Sequence, residues 1–243
     1  MSPFLAEVRQ TLWPGADARH GPLPPLLVGL TLVTGLVDAF SYLVLGHVFV
    51  ANMTGNVVFL GFALAGAPGF SLAASALALA AFWAGAFAGG TLGSRLGAHR
   101  GRLLAGATGL QVALVAVSVV LTLLAASPVP AGTRYPLIAL LAVAMGLQNA
   151  TARRLAVPDL TTTVLTLTIT GTAADSTIAG GRGSTGGRRF ISVASMFVGA
   201  LIGALLVIHA RIVLALVLAL VVLAAVAGTA ARRSGGDAPW THP

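Results

Sequence analysis

Long apolar stretches alternate along the chain with short segments that carry most of its charged residues. A helix rises about 1.5 Å per residue, so roughly 20 apolar residues cross the hydrocarbon core of a bilayer. Six stretches have this length or nearly so, and the pattern predicts that each forms a transmembrane helix. They are residues 26–45, 70–92, 103–126, 135–152, 190–209 and 212–230.

Two further apolar stretches, 48–67 and 160–178, are interrupted by polar residues. Asn52, Thr54 and Asn56 break the first, and the second carries eight threonines. Polar side chains are costly where a helix faces lipid along its whole length. We therefore expect each stretch to be a re-entrant segment or half-helix that enters and leaves the membrane on one side. Full crossing by one or both, giving seven or eight spans, is the alternative.

The composition indicates a membrane protein and argues against several other classes. Only 8% of the 243 residues are charged, against about 25% in water-soluble domains, so the expected environment is the lipid bilayer. Cysteine is absent and the five histidines are scattered, so we expect neither a metal site nor a cofactor. The net charge of +8 comes from arginines in short clusters between apolar stretches, which does not suit a nucleic-acid partner.

The distribution of the 14 arginines discriminates among the topologies. If both interrupted stretches are re-entrant, 12 arginines face one side and only Arg134 and Arg211 face the other. If both stretches cross, the division is 8 to 6, and if only the first crosses it is 10 to 4. Arginines in short loops resist transfer across the membrane. Six spans with cytoplasmic N- and C-termini are therefore favoured.

An internal repeat relates the two halves of the chain, with chance similarity among Gly- and Ala-rich helices as the alternative. GLVDA at 35–39 corresponds to GLQNA at 146–150, at an offset of 111 residues. FWAG at 82–85 corresponds to MFVG at 196–199, at an offset of 114. These matches predict a transmembrane domain at 26–231 with repeats at 26–126 and 135–231, between an N-terminal tail at 1–25 and a C-terminal tail at 232–243.

Three spans in each repeat make the second repeat enter the membrane from the opposite side, so the repeat is inverted. Inverted repeats with broken helices and a site near the midplane are typical of secondary transporters. Non-helical backbone at membrane depth is tolerated only inside the protein or along a watery cavity. We therefore expect the two interrupted stretches to meet near the pseudo-twofold axis that relates the repeats.

Asp38 is the most informative single residue, because a carboxylate inside an apolar span is costly unless it is paired, hydrated or protonated. One interpretation is a proton- or cation-coupling site, or an anchor for a polar substrate. The alternative is a structural hydrogen bond to Asn149 or to the turn at Asn52 and Asn56. Asp38 belongs to a polar stripe that should face the protein interior. The stripe comprises Thr31, Thr34, Asp38, Ser41 and Tyr42.

The sequence NMTGN at 52–56 predicts a tight turn before a helix that starts near Val57. Asn and Thr side chains can satisfy the first free N–H groups of that helix, and Gly55 permits close approach of a neighbour. A helix that begins inside the membrane directs its positive end at whatever occupies a cavity there. The alternative is a surface loop that joins two helices.

The second repeat offers polar residues at matching positions. Asn149 corresponds to Asp38, and Gln148 precedes it. Amide side chains can bind a solute, although hydrogen bonding between helices is the commoner role. Thr163 and Thr166 can line a passage with their hydroxyl groups, or lie in a buried helix without a function.

Two blocks of sequence resemble a known family. They are VDAFSYLVLGHVFVANMTGNVVFLGFALAG at 37–66 and MGLQNATARRLAVPDLTTTVLT at 145–166, and both resemble the YoaK family of bacterial integral membrane proteins of unknown function. The resemblance extends from residue 26 to about residue 231. It implies a polytopic protein of the bacterial inner membrane and supplies no substrate. Where family members commonly carry a Thr-Gly pair in the second half, this chain has Thr166-Leu167.

These observations predict a permease or channel for a small polar solute, with its site between the two re-entrant segments, and no enzymatic activity. A non-transporting membrane interaction or assembly protein is the alternative, and a homo-oligomer is compatible with either. The solute-binding or coupling residues are predicted to be Asp38, Tyr42, Asn52, Thr54, Gly55, Asn56, Gln148, Asn149, Thr163 and Thr166.

Overall fold

The computed structural model of the protein describes residues 3–15, 19–125, 128–163, 165–174, 186–235 and 238–242. Within these ranges six helices are long and apolar enough to cross a membrane, namely α2, α4, α5, α6, α8 and α9. The predicted all-α polytopic membrane fold is therefore confirmed. The helices are α1 (Pro3–Leu12), α2 (Leu23–Val44), α3 (Met53–Leu64), α4 (Leu72–Leu96), α5 (Arg100–Leu124), α6 (Ala131–Leu155), α7 (Leu165–Ala174), α8 (Gly186–Ile208) and α9 (Ile212–Arg233), followed by a 3-10 turn at Pro239–Thr241.

Several long helices extend past the apolar stretches that predict them. α4 continues to Leu96 and α6 to Leu155, and each last turn carries arginine, Arg95 in α4 and Arg153 with Arg154 in α6. A cation near a helix C-terminus interacts favourably with the free carbonyl groups there. The same arginines follow the apolar stretch of each helix, so they extend the helix past that stretch and mark its end.

Both termini of the chain lie at the same end of the helix bundle, here termed the terminal end. Arg100, at the start of α5, donates a hydrogen bond to the backbone oxygen of Leu155 at the end of α6. Trp240, near the C-terminus, lies against Gly21 just before α2 and Gly101 in the first turn of α5. These contacts join the starts of α2 and α5 to the end of α6 and to the C-terminal segment.

The helices alternate in direction from this end. α2, α5 and α8 start at the terminal end, and α4, α6 and α9 finish there. Arg134, near the start of α6, lies beside Gly46, and Arg211 immediately precedes α9, so both lie at the opposite end. All other described arginines lie at the terminal end. The structure thus has the arginine arrangement expected for two re-entrant segments.

Each repeat packs mainly on the other repeat. α4 lies along α6, α8 lies along α2, and α5 contacts α6 and α9. Four glycines allow close approach at the first two of these crossings, because a Cβ atom added to any of them would overlap the backbone of the facing helix. Small residues bring helices together in this way in membranes. The contacts are Gly85 with Val143, Gly146 with Phe82, Gly199 with Leu32, and Gly35 with Met196.

The two crossings use equivalent residues. Adding 111 to the positions in α2 gives those in α6, and adding 114 to the positions in α4 gives those in α8. Equivalent helices also run in opposite directions, since α2 starts at the terminal end and α6 finishes there. The two halves therefore form an inverted three-plus-three repeat, related by a pseudo-twofold axis in the plane of the membrane.

The first interrupted stretch folds as a re-entrant segment. After α2 the chain turns at His47, which has a φ of 55°, and runs back into the bundle before α3 begins at Met53. The 12 residues of α3 extend about 18 Å, which is too short to cross the bilayer. Nδ1 of His47 lies 3.0 Å from the backbone oxygen of Gly69, beyond the end of α3. The segment therefore starts and ends on the same side.

The second interrupted stretch contains α7, a half-helix of 10 residues that packs against α8. These ten described residues are also too few to cross the bilayer. Residues 156–163, between α6 and α7, are non-helical, and Ala156, Asp159 and Thr162 adopt left-handed backbone conformations there. The last part of the predicted stretch, residues 175–178, lies outside the described residues.

Candidate solute cavity

A cavity of about 1320 Å³ lies between the two re-entrant segments. One side is formed by the turn that starts α3, and another by the segment that leads into α7. The two polar interruptions therefore meet inside the protein, as the inverted repeat predicts. The residues that they contribute include Asn52, Thr54, Gly55, Thr163, Thr166 and Thr168.

The cavity extends from the middle of the membrane to the terminal end. Its deepest lining residues, Phe82 and Met196, lie near the middles of α4 and α8. At the other extreme it is lined by Arg153, which is two residues from the end of α6, and by Asp159 and Arg189. This half-depth vestibule leads from the terminal end to the turn at the start of α3.

The charged residues of the cavity lie near its mouth. Nε of Arg189 donates to Oδ1 of Asp159 at 2.8 Å, and both side chains are mostly buried. Arg153 is exposed and makes no ion pair with any described residue. Since the Arg189 and Asp159 charges offset each other, Arg153 supplies the remaining charge among the described residues that line the mouth.

The start of α3 presents backbone N–H groups to this cavity. The first N–H groups of a helix have no acceptor within the helix, and the side chain of Asn52 does not cap them. Thr54 is exposed in the cavity wall. Gly55 is required for another reason, because a Cβ atom there would meet the ring of Phe49 at 2.7 Å. The positive end of α3 therefore contributes to the cavity at mid-membrane depth.

Asp38 lies outside the large cavity and fixes the re-entrant turn. Its Oδ1 accepts hydrogen bonds from the backbone N–H groups of Val50 at 3.1 Å and Ala51 at 2.8 Å. Its Oδ2 is buried and has no hydrogen-bond partner among the described residues. Asp38 is 5% exposed, so its carboxyl group is almost wholly enclosed by the protein and is held to the turn through Oδ1.

Asn56 and Gln148 also lie outside the cavity. Asn56 holds the turn from inside, since its Oδ1 accepts from the N–H of Phe49 at 2.9 Å and its Nδ2 donates to the oxygen of the same residue at 2.6 Å. Gln148 joins three helices. Its Nε2 donates to the hydroxyl of Thr34 at 2.8 Å, and its Oε1 accepts from Nε2 of Gln111 at 2.7 Å. Both amides are fully used within the protein.

Asn149 and Thr163 lie together in the wall of the large cavity. The hydroxyl of Thr163 donates to Oδ1 of Asn149, and Nδ2 of Asn149 donates to the backbone oxygen of Met145 at 2.9 Å. Asn149 thus fixes the second re-entrant segment, which is the role that Asp38 has in the first. Thr166, in the first turn of α7, is exposed in the same wall.

A second cavity of about 300 Å³ lies between α2 and α8 and is lined by Asp38, Tyr42, Asn52 and Met196, among others. The ring of Tyr42 stacks on Phe49 with 5.0 Å between ring centroids. Of the predicted site residues, the large cavity therefore collects Asn52, Thr54, Gly55, Asn149, Thr163 and Thr166, the small one holds Asp38, Tyr42 and Asn52, and Asn56 and Gln148 line neither.

Sequence reasoning did not include Arg153, Asp159 and Arg189 in the site. In the sequence the arginines have a sufficient explanation as topology markers, and Asp159 lies in a segment without periodicity. One signal was available, because Arg153 is the counterpart of Tyr42 at the repeat offset of 111 residues. Applying the offset to every predicted site residue would have identified it.

Comparisons with known proteins agree with the resemblance seen in the sequence. The chain matches a family described as a protein of unknown function (DUF1275) over residues 26–229. A protein of Bacillus subtilis (strain 168), described as UPF0700 transmembrane protein YoaK, is 34% identical over 145 residues. That match covers 59% of this chain and 63% of the length of the relative. No solved structure matches the chain.

Proposed function

The chain belongs to the DUF1275 family of proteins of unknown function, and we propose that it is a membrane permease for a small polar solute. The observation that carries the proposal is the cavity between the two re-entrant segments. Inverted repeats whose broken helices meet at a midplane site are the recurring plan of secondary transporters. A protein that used its polar residues only for packing would have no need of so large a space, lined in part by polar side chains, at this depth.

In this proposal the solute binds near the middle of the membrane, at the start of α3. Asn52 and Thr54 supply an amide and a hydroxyl group from the first repeat, together with free N–H groups of the helix. Asn149, Thr163 and Thr166 face them from the second repeat. Asn56 and Gln148 have a supporting role, since their amides are occupied by the protein.

The electrostatics of the vestibule favour a solute with an anionic or strongly accepting group. Arg153 is unpaired among the described residues, and the positive end of α3 adds partial charge deeper in the cavity. Charges that line a cleft with low-dielectric walls raise the local concentration of an oppositely charged solute. Arg153 would therefore attract the solute at the mouth, and α3 would orient it further in.

We infer that the terminal end faces the cytoplasm of a bacterial cell. Nearly all described arginines lie at this end, and arginine-rich short loops remain cytoplasmic. The relative from Bacillus subtilis is described as a transmembrane protein, which supports a cell-membrane location. The large vestibule would then open inward.

Uptake into proteoliposomes tests the proposal. Purified protein is reconstituted and uptake of radiolabelled small carboxylates, amino acids and polyols is measured. Thr54→Trp places a bulky ring in the cavity wall and should abolish any uptake that the unmodified chain supports. Val57→Trp is the matched control, because Val57 lies in the same helix, is 60% exposed and does not line the cavity. Absence of uptake across the panel, or equal loss in both variants, would contradict the proposal.

A further inference from the structure

The small cavity beside Asp38 is the symmetry counterpart of part of the large cavity. Six of its lining residues have a repeat counterpart that lines the large one, at the offsets of 111 and 114 residues. The two cavities are therefore built from the same positions of the two repeats. The pairs are Asp38 with Asn149, Ala39 with Ala150, Tyr42 with Arg153, Asn52 with Thr163, Met196 with Phe82, and Ala200 with Ala86.

The two cavities lie toward opposite ends of the bundle. The large one reaches the terminal end at Arg153. The small one is lined by the last turns of α2, up to Leu43, and by α8 as far as Ala204, and both helices finish at the opposite end. Asn52 and Met196 line both cavities. The two spaces therefore adjoin at these two residues.

The volumes differ although the positions correspond, at about 1320 Å³ against about 300 Å³. The same space is thus expanded in one repeat and contracted in the other. A second conformation of the protein follows from the symmetry, in which each repeat adopts the present conformation of the other. The crossings are alike in the two repeats, because α4 on α6 and α8 on α2 touch through equivalent glycines. Transporters of this plan alternate access by such motions of one repeat against the other.

We propose that the two cavities are the two halves of one solute path, and that the small cavity widens toward the opposite end when the large cavity narrows. The inference rests on the proposed permease function and adds its conformational cycle and a second half-site. In the exchanged state Oδ2 of Asp38 faces the open half of the path. Since this oxygen has no partner among the described residues, it accepts a hydrogen bond from an ammonium or hydroxyl group of the same solute, which therefore carries a donor as well as the accepting group that the vestibule favours.

Cysteine labelling tests the exchange without any knowledge of the solute, because the chain contains no cysteine. Ala39→Cys and Ala200→Cys report on the small cavity, and Ala150→Cys and Ala86→Cys are their repeat-matched controls in the large one. A membrane-impermeant maleimide is applied from either side of proteoliposomes. We expect Ala150→Cys and Ala86→Cys to react only from the terminal end, and Ala39→Cys and Ala200→Cys to react, several-fold more slowly, only from the opposite end.

A double variant then tests whether the two openings exclude each other. Ala39→Cys with Ala150→Cys is first modified from the opposite end, and labelling at residue 150 from the terminal end is then measured. A several-fold decrease in that rate is expected. An unchanged rate, or reaction of Ala39→Cys from the terminal end or from neither end, would overturn the proposal. The Ala200→Cys and Ala86→Cys pair repeats the measurement if the first variant is unstable.

The half-site is tested with ethanolamine as a small donor-bearing probe. Ethanolamine should slow maleimide labelling of Ala39→Cys from the opposite end, and Asp38→Asn should remove this protection while labelling itself continues. Protection that persists in Asp38→Asn, or no protection in either chain, would remove Asp38 as the binding group. These readouts are separate from uptake, so exchange without uptake would overturn the permease proposal and leave the alternating cavities in place.

Discussion

Asp38 and Asn149 occupy equivalent positions in the two repeats, and each holds the re-entrant segment of its own repeat through a side-chain oxygen. Oδ1 of Asp38 accepts from the N–H groups of Val50 and Ala51, and Oδ1 of Asn149 accepts from the hydroxyl of Thr163. A neutral amide serves in one repeat where a carboxylate serves in the other. Holding the segment therefore does not explain why position 38 carries a carboxyl group rather than an amide.

Two substitutions of Asp38 test the hydrogen bonds that its Oδ1 accepts from the turn. Asp38→Asn keeps an acceptor for the N–H groups of Val50 and Ala51 and should lower the free energy of unfolding by only about 1 kcal/mol. Asp38→Ala leaves two buried N–H groups without an acceptor, at a cost of about 1–3 kcal/mol for each. Thermal unfolding of purified protein in detergent measures both. Equal unfolding temperatures for the two variants would contradict the assigned hydrogen bonds.

The glycine contacts predict a sharp difference between neighbouring positions of α4. Gly85→Ala puts a Cβ atom into the backbone of Val143 and should destabilise the fold by about 1–3 kcal/mol or more, as overpacked cores do. Gly90→Ala meets no atom within 4 Å and should be neutral or slightly stabilising, since alanine is the better helix former. Folded yield and unfolding temperature report the effect. Similar losses in both variants would show that the crossing is looser than described.

The re-entrant topology predicts which exposed residues share a side of the membrane. His47 precedes α3, Ala65 follows it, and Ala98 lies between α4 and α5, and all three are exposed. In single-cysteine variants of this cysteine-free chain, positions 47 and 65 should react with an impermeant maleimide from one side, and position 98 from the other. A full crossing by α3 would instead place positions 47 and 65 on different sides.

His20 predicts a pH dependence of stability. Its burial, followed by the charges of Arg100, Arg188 and Arg19, lowers the pKa of His20 from its ordinary value of 6.5. Below pH 6.5 the unfolded chain therefore takes up a proton at this residue that the folded chain resists, so stability decreases as the pH falls from 6.5 toward the folded pKa.

His20→Gln removes this contribution. Unfolding temperatures of both chains are compared between about pH 8 and about pH 5, across the ordinary range of histidine titration. The difference in unfolding temperature between the two chains should change only below the ordinary histidine pKa, where the unmodified chain loses more stability. A constant difference over the whole range would show that His20 titrates alike in the folded and unfolded chains.

Much of the fold follows from apolar length and charge placement. The bilayer sets a minimum helix length and arginine clusters mark helix ends, so the six spans and the two short segments can be deduced without tertiary information. The inverted repeat was also visible, because Gly35 and Gly146 must be small wherever a backbone contacts them. These positions must be glycine for steric reasons. The match between the repeats therefore persists there, although the offset changes from 111 to 114 residues along the chain.

The sequence alone indicates less about which residues line the site. A polar residue inside a span needs a partner, but the sequence does not reveal whether that partner is solute, side chain or backbone. Asn56 and Gln148 satisfy the requirement with Phe49 and Thr34. Arg153 was overlooked because its position at a helix end already had a topological explanation.

The way α4 lies along α6 rather than beside α2 has a consequence for biosynthesis. The first half of the chain leaves the ribosome with its glycine-lined surfaces unmatched, since their partners are in the half not yet translated. Insertion of the early helices must therefore precede their assembly by the time needed to synthesise α6 and α8. An isolated first half would leave these surfaces uncovered and would be a target for membrane proteases. Two halves expressed from separate genes would together contain all the matching helix surfaces, and we expect them to assemble in the same bilayer.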